Sequence, residues 1–281
     1  MNSKFPHTVD TQLIREFDDK GFVVTPDVFS AKELAGFARA VDEEVANRTA
    51  HDKRSLDAKS RYEQSFIQCM RLWETNSEVA DLSFHPALAG IAAQLLDVSG
   101  LLLWQDQALY KEPGGKETTP HQDQTFWPIG SSPLVSAWIP FEDVTTESGA
   151  MAYVPGSHKV GKLKVVDITH TTDPYDILQD PALAQKAPEY VEVQAGSVVW
   201  HHGFTVHQAA SNTTSRTRRV FTVVYVSDQG RREKAWANYP LDRAGVEVGG
   251  LIAGEGLPRV WPNSGIIPKT SSSVGRLIGP Q

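Results

Sequence analysis

The sequence predicts a mainly β core, a sandwich or barrel, with helices on its N-terminal side. Three observations lead to it. Hydrophobic periodicity changes from helical to strand-like near Gly100. After that point seven β-prone runs follow, most of them short and bounded by Gly, Pro, Ser or Asn. No long helical stretch separates them, which disfavours a parallel βαβ sheet.

The N-terminal part reads as helical. Thr11 is placed to cap a short helix through Leu13, Ile14 and Phe17 that ends near Gly21. Phe22 to Val24 is a short β-prone run, ended by Pro26. Ser30 with Glu33 three residues on forms a capping box. Leu34, Phe37, Val41 and Val45 then recur at helical spacing and mark one buried stripe. A further helix spans about Pro86 to Leu96. The strands follow at about 101–111, 134–141, 150–154, 190–193, 197–200, 204–210 and 220–226. Residues 167–189 are polar and read as a surface excursion. One domain over 1–281 is expected: a helical flank to about 98, a core over about 99–228, and an irregular tail from about 229 suited to a lid or an interface.

Composition narrows the function classes. Hydrophobic residues make up 40% and charged residues 22% of 281, as in a folded globular chain. The net charge of -7 argues against a nucleic-acid or anionic-membrane surface, which needs clustered Lys and Arg. Cys69 is the one cysteine, so no internal disulfide can form. The start lacks a basic segment followed by an apolar run, and no stretch nears the ~20 apolar residues of a bilayer span. The expectation is a cytoplasmic monomer or homodimer acting on a small molecule, with no nucleic acid and no membrane.

The sharpest chemical feature is His121-Gln122-Asp123. On an extended strand, residues two apart point to one side, so an imidazole and a carboxylate can share a metal. A second imidazole, His207, would complete a 2-His-1-carboxylate set that leaves positions open on non-haem iron. The bland reading is a surface His and Asp at a loop start. After His207 comes a strand-turn-strand pattern that returns Arg218 towards the same place. A planar guanidinium suits a carboxylate held through two hydrogen bonds. Arg216 and Arg219 read instead as a solvated basic turn. Gln105, Gln107 and Lys111 share one face of a strand. Phe126 and Trp127 either wall a pocket or pack the core. His201 and His202 lie close enough to His207 for one to border the site.

Four segments in order resemble the phytanoyl-CoA dioxygenase (PhyH) family of Fe(II)/2-oxoglutarate oxygenases. They are GFVVTPDVFSAKEL, QALYKEPGGKETTPHQDQTFW, LVSAWIPFEDVTTESGAMAYVPGSHK and VHQAASNTTSRTRRV. The resemblance implies a double-stranded β-helix, the jelly-roll or cupin-like core, with flanking α-helices. It implies His121, Asp123 and His207 as catalytic iron ligands and Arg218 as the partner of the distal carboxylate of 2-oxoglutarate. It also implies that Trp138 and Lys111 border the cosubstrate; Gln107, on the strand face of Lys111, is placed with them, and Gln105, Phe126 and Trp127 are the candidates to face the substrate. The implied cofactors are Fe(II), 2-oxoglutarate and O2, with succinate and CO2 as co-products. Relatives that halogenate resemble this pattern with a small residue in place of the carboxylate, so Asp123 makes hydroxylation the default. The chain departs from the family in having Gln208, Ala209 and Ala210 after His207, where Ser or Gly is common. Two alternatives stay open here: a cupin-like metalloenzyme that does not use 2-oxoglutarate, and a non-catalytic binding member of the fold.

Overall fold

Helix boundaries follow the capping residues. In the computed structural model, which describes residues 8–170 and 175–269, α1 (Thr11–Lys20) is capped by Asp10, one residue before the expected Thr11. Its end is Gly21, at φ 81°, a left-handed conformation that glycine adopts without a Cβ clash. The strand β1 (Phe22–Thr25) follows, then α2 (Ala31–Thr49) with the Ser30–Glu33 capping box in place. Beyond β2 (Ile67–Met70) lies α3 (Ser77–Ser83), capped by Asn76, an element that periodicity did not reveal. The last of this group, α4 (Pro86–Leu95), is capped by the His85 side chain. His7 and residues 270–281 of the tail lie outside the described residues.

The strands are β3 (Leu101–Lys111), β4 (Thr118–His121), β5 (Leu134–Pro140), β6 (Met151–Tyr153), β7 (Glu189–Val191), β8 (Val198–His202), β9 (His207–Ala209) and β10 (Arg218–Ser227). A short α5 (Tyr239–Arg243) and β11 (Arg259–Trp261) complete the order. The major sheet runs β1-β8-β5-β10-β3-β11, with β2 added beside β3. The minor sheet runs β4-β9-β6-β7, and every pairing is antiparallel. This is the jelly-roll architecture with helices on one flank.

Alternation along the strands decides which layer each residue joins. On β10, Phe221, Val223 and Tyr225 pack with Val41, Leu88 and Ile91 of the helices. Their neighbours Arg218 and Thr222 face the interior between the sheets, while Val220 packs there with Trp138, Tyr153 and Val199. Two N-terminal strands cross the boundary expected near residue 98: β1 pairs with β8, and β2 pairs with β3. Neither stands alone, because each borrows a partner distant in sequence. The expected irregular tail is also built in. Leu241, Ile252 and Leu257 pack with Trp104, Leu134 and Val224 at one end of the core. The polar excursion buries Ile177 and Leu183, with Val166 just before it, in a small cluster with Val154 and Val206.

Buried polar groups tie the layers. The Asp106 carboxylate on β3 accepts from the Leu72 and Trp73 amides at 2.6 and 3.0 Å and from the Ser83 hydroxyl at 2.6 Å. The Tyr225 hydroxyl donates to the Ser83 carbonyl at 3.0 Å. Arg219, expected in a solvated turn, instead reaches Asp42 of α2 at 2.6 Å and Glu142 at 2.8 Å. Those two carboxylates explain the difference: they convert a turn cation into a strut between sheet and helix.

Removing the Asp106 carboxylate would strand three buried donors at once. Asp106→Ala is expected to lower unfolding stability by about 3–5 kcal/mol, against about 1 kcal/mol for the exposed cap variant Ser30→Ala. Urea titrations of both variants check this; equal losses would contradict it.

Candidate metal centre

The end of β4 and the beginning of β9 lie side by side, with His121 opposite His207. Asp123 is not on a strand. It opens a 3-10 turn, Asp123–Phe126, after an extended Gln122 at φ -115° and ψ 121°. One extended residue is enough to send His121 and Asp123 to the same side. Gln122 goes the other way and is pinned there: its amide donates to the carbonyls of Gly161 and Phe204, and its oxygen accepts from the Leu163 amide.

The three expected ligands converge. Asp123 Oδ1 lies 3.3 Å from His121 Nε2 and 3.5 Å from His207 Nε2, and the three ligand atoms fall within 4.8 Å of one another. Each imidazole is fixed at its far nitrogen. His121 Nδ1 meets the Thr119 carbonyl at 2.6 Å, and His207 Nδ1 meets the Thr205 carbonyl at 2.9 Å. A carbonyl can only accept, so Nδ1 carries the proton and Nε2 offers its lone pair inward. Two neutral imidazoles and one carboxylate are the donor set of a divalent first-row ion with positions to spare.

The second carboxylate oxygen is held separately. Asp123 Oδ2 lies 3.2 Å from His201 Nε2 and accepts from the Ser136 hydroxyl at 3.3 Å. His201 is 2% exposed, and burial pushes its pKa down to about 4, so it is neutral at pH 7 and can donate from Nε2. Burial would raise the Asp123 carboxyl, but His207, His121 and His201 outweigh it and hold the group well below the ordinary range. Of the two histidines that could border the site, His201 does so. His202 is turned elsewhere and accepts from the Phe204 amide through Nδ1. The signal was alternation on β8: Trp200 faces the helices, so His201 faces inward.

A cavity of about 410 Å³ opens from this cluster. Arg218 lies in its wall, 3% exposed, with its guanidinium 5.5 Å from the Trp138 ring. It donates to the carbonyls of Gly149 at 3.0 Å and Leu109 at 3.3 Å. Gly149 sits at φ 98°, and a Cβ there would come within 2.9 Å of the Lys111 side chain, so the turn needs glycine. No carboxylate pairs with Arg218 among the described residues, and its Nε has no hydrogen-bond partner. Burial lowers its pKa only to about 10, so it remains a cation. Thr222 Oγ1, in the same wall, is likewise buried without a partner. A buried guanidinium without a carboxylate partner and an unpartnered hydroxyl fit a ligand carboxylate.

The other expected residues divide. Trp138, Gln107, Gln105, Phe126 and Trp127 all line the cavity. Trp127 also packs on Trp104, with ring centroids 5.9 Å apart, so pocket wall and core are both correct for it. Lys111 does not line the cavity. It is buried beside Arg218 and donates to the Lys116 carbonyl, and burial together with that cation brings its pKa down to about 6. The strand face it shares with Gln105 and Gln107 extends past the cavity. Sequence reading missed the contribution of β2, through Gln68 and Met70, and of residues 165–169, where the excursion begins.

His121→Ala, Asp123→Ala and His207→Ala are each expected to abolish tight Fe(II) binding with little loss of thermal stability. His201→Leu should weaken Fe(II) binding by about 10–100-fold, the usual cost of losing an outer-shell partner. Anaerobic Fe(II) titration checks both; a His201→Leu protein that binds like the parent would show that Asp123 needs no such support.

Comparison with known proteins agrees with this geometry. The phytanoyl-CoA dioxygenase (PhyH) family matches residues 17–220. A phytanoyl-CoA dioxygenase of Arabidopsis thaliana is 31% identical over 160 residues, which is 57% of this chain and 56% of that protein. The chain thus spans about half the length of the curated relatives it matches. Among solved structures, the non-haem alpha-ketoglutarate-dependent carbocyclase SnoK of nogalamycin biosynthesis superposes with a TM-score of 0.74 at 29% identity, covering 90% of this chain and 96% of that one. The epimerase SnoN, in complex with Fe3+, alpha-ketoglutarate and nogalamycin RO, superposes at 0.70 with 23% identity over 89% of this chain and 97% of its own, a likeness of fold. Among the described residues no helix is long and apolar enough to cross a membrane. By the span of the family match and the metal-ligand pattern within it, this chain belongs to the phytanoyl-CoA dioxygenase family.

Proposed function

We propose that this chain is an Fe(II)- and 2-oxoglutarate-dependent dioxygenase that oxidises a small organic molecule, with hydroxylation as the simplest outcome. The observation that carries the reading is Arg218: a buried cation without a carboxylate partner, in the same cavity as a three-ligand metal cluster. When bound, iron and 2-oxoglutarate would supply the oxidising power, with O2 consumed as the cosubstrate is decarboxylated to succinate and CO2.

The residues of the chain have distinct tasks in this reading. His121, Asp123 and His207 hold the metal from one side and leave its remaining positions towards the cavity. Arg218 anchors the far carboxylate of the cosubstrate, with Trp138 stacked against its guanidinium. Phe126, 5.8 Å from the His121 ring, shields the ligands from water. A cupin-like enzyme that does not use 2-oxoglutarate would have no use for Arg218. A non-catalytic member would have no reason to retain all three ligands with their backbone anchors. The 29% identity to an alpha-ketoglutarate-dependent carbocyclase supports the cosubstrate and makes ring closure the second outcome to assay.

Arg218→Ala is expected to weaken 2-oxoglutarate binding by about 2–5 kcal/mol, roughly 30-fold to several-thousand-fold. Arg218→Lys should recover only part of this, because an ammonium lacks the planar fork. Arg219→Ala should leave 2-oxoglutarate affinity unchanged, since its partners are Asp42 and Glu142. A 2-oxoglutarate titration of the Fe(II) protein without O2, followed by its visible charge-transfer band, tests the set. Parent-like binding by Arg218→Ala would overturn the cosubstrate assignment.

A further inference from the structure

Register across the major sheet arranges the cavity in two levels. Gln107, Thr222, Trp138 and Val199 face one another on adjacent strands. Gln105, Val224, Ser136 and His201 form the next level. Ser136 and His201 are the two groups that hold Asp123. Gln105 therefore lies at the height of the metal ligands, two strands from Ser136, about 10 Å at the usual strand spacing. Its residue is 8% exposed, and its side chain lines the cavity. Gln107 is different. Its oxygen accepts from Gln68 at 2.6 Å, and Gln68 in turn accepts from the Tyr62 hydroxyl at 2.8 Å. That chain turns the amino group of Gln107 into its free end.

The charge of the cavity is equally specific. Arg218 is the only Lys or Arg among the described residues that line it. Once a cosubstrate carboxylate takes Arg218, no cation remains for a second anion. Asp167 also belongs to the lining. Much of the rest of the wall is aromatic: Tyr62, Phe66, Phe126 and Trp127. Flat faces favour rings, and neutral amides favour carbonyl and hydroxyl groups. A buried anionic group without a partner would carry a large desolvation cost.

We infer that the substrate is an uncharged, ring-bearing molecule with carbonyl or hydroxyl groups, oriented over the metal by the carboxamide of Gln105. This rests on the dioxygenase reading above. It also excludes an acyl thioester whose phosphates enter the cavity.

The test uses the Fe(II) and 2-oxoglutarate complex without O2. The probes are naringenin, pregnenolone and 1,4-dihydroxyanthraquinone, each beside its sulfate or sulfonate, together with palmitoyl-CoA. Binding is read from the shift of the charge-transfer band and from tryptophan quenching. At least one neutral probe is expected to bind tenfold or more tightly than its charged counterpart and than palmitoyl-CoA. Gln105→Leu should weaken that probe by tenfold or more with 2-oxoglutarate affinity unchanged, and Gln105→Glu, which keeps the shape, should weaken it too. Equal binding of charged and neutral partners overturns the inference. So does a complex that forms its 2-oxoglutarate band but takes no neutral probe, or Gln105 variants that bind like the parent. If the 2-oxoglutarate band never forms, the dioxygenase reading itself has failed, and the two failures are thus told apart.

Discussion

The pleat of the major sheet imposes the constraint on which the rest depends. Each central strand must satisfy helices on one face and a polar cavity on the other, residue by residue. On β10 the apolar set is Phe221, Val223 and Tyr225, and the set turned inward includes Arg218 and Thr222. A one-residue slip would drive a guanidinium into the helix layer and expose a tyrosine to the site. Pairing on both sides, to β3 and β5, prevents the slip. The same register carries Gln105 and Ser136 to the level of the metal cluster.

Two basic side chains meet in one buried corner. Arg218 and Lys111 are strand neighbours, both almost wholly buried, and neither has a carboxylate partner among the described residues. Backbone carbonyls take their donors instead: Gly149 and Leu109 for the arginine, Lys116 for the lysine. Carbonyl dipoles stabilise the Arg218 cation only partly, which leaves a positive potential facing the cavity, while Lys111, with its pKa brought down to about 6, is mostly neutral at pH 7. At the other end of the cavity, Asp123 gathers three histidines and a serine. Positive potential at one end and a metal cluster at the other define an axis along which a dicarboxylate fits.

Much of the fold was legible because local signals agreed with the tertiary structure. Ser30 with Glu33 began α2 as expected, Gly21 ended α1, and the strand over 101–111 was complete. The misses share a cause. The strand β2 is four residues long and exists through its pairing with β3, so nothing in its own composition announces it. Arg219 reads as a turn cation until Asp42, from a helix far away in sequence, is brought within 2.6 Å. Lys111 shares a face with Gln105 and Gln107, yet the cavity ends before reaching it.

The sequence by itself determined the ligands of the site. His121 and Asp123 are two apart with one extended residue between them, and that local geometry sends both side chains to one side. Arg218 was legible for a similar reason, since a strand-turn-strand returns the chain to its origin. Only the tertiary structure decided what supports and surrounds these groups. His201 and Ser136 reach Asp123 from neighbouring strands 65 residues apart, and Gln68 reaches the cavity from a strand that the helical flank concealed, with Tyr62 from the turn before it. Such contacts arise from sheet register, a relation between distant segments, and no short-range pattern of residues encodes it.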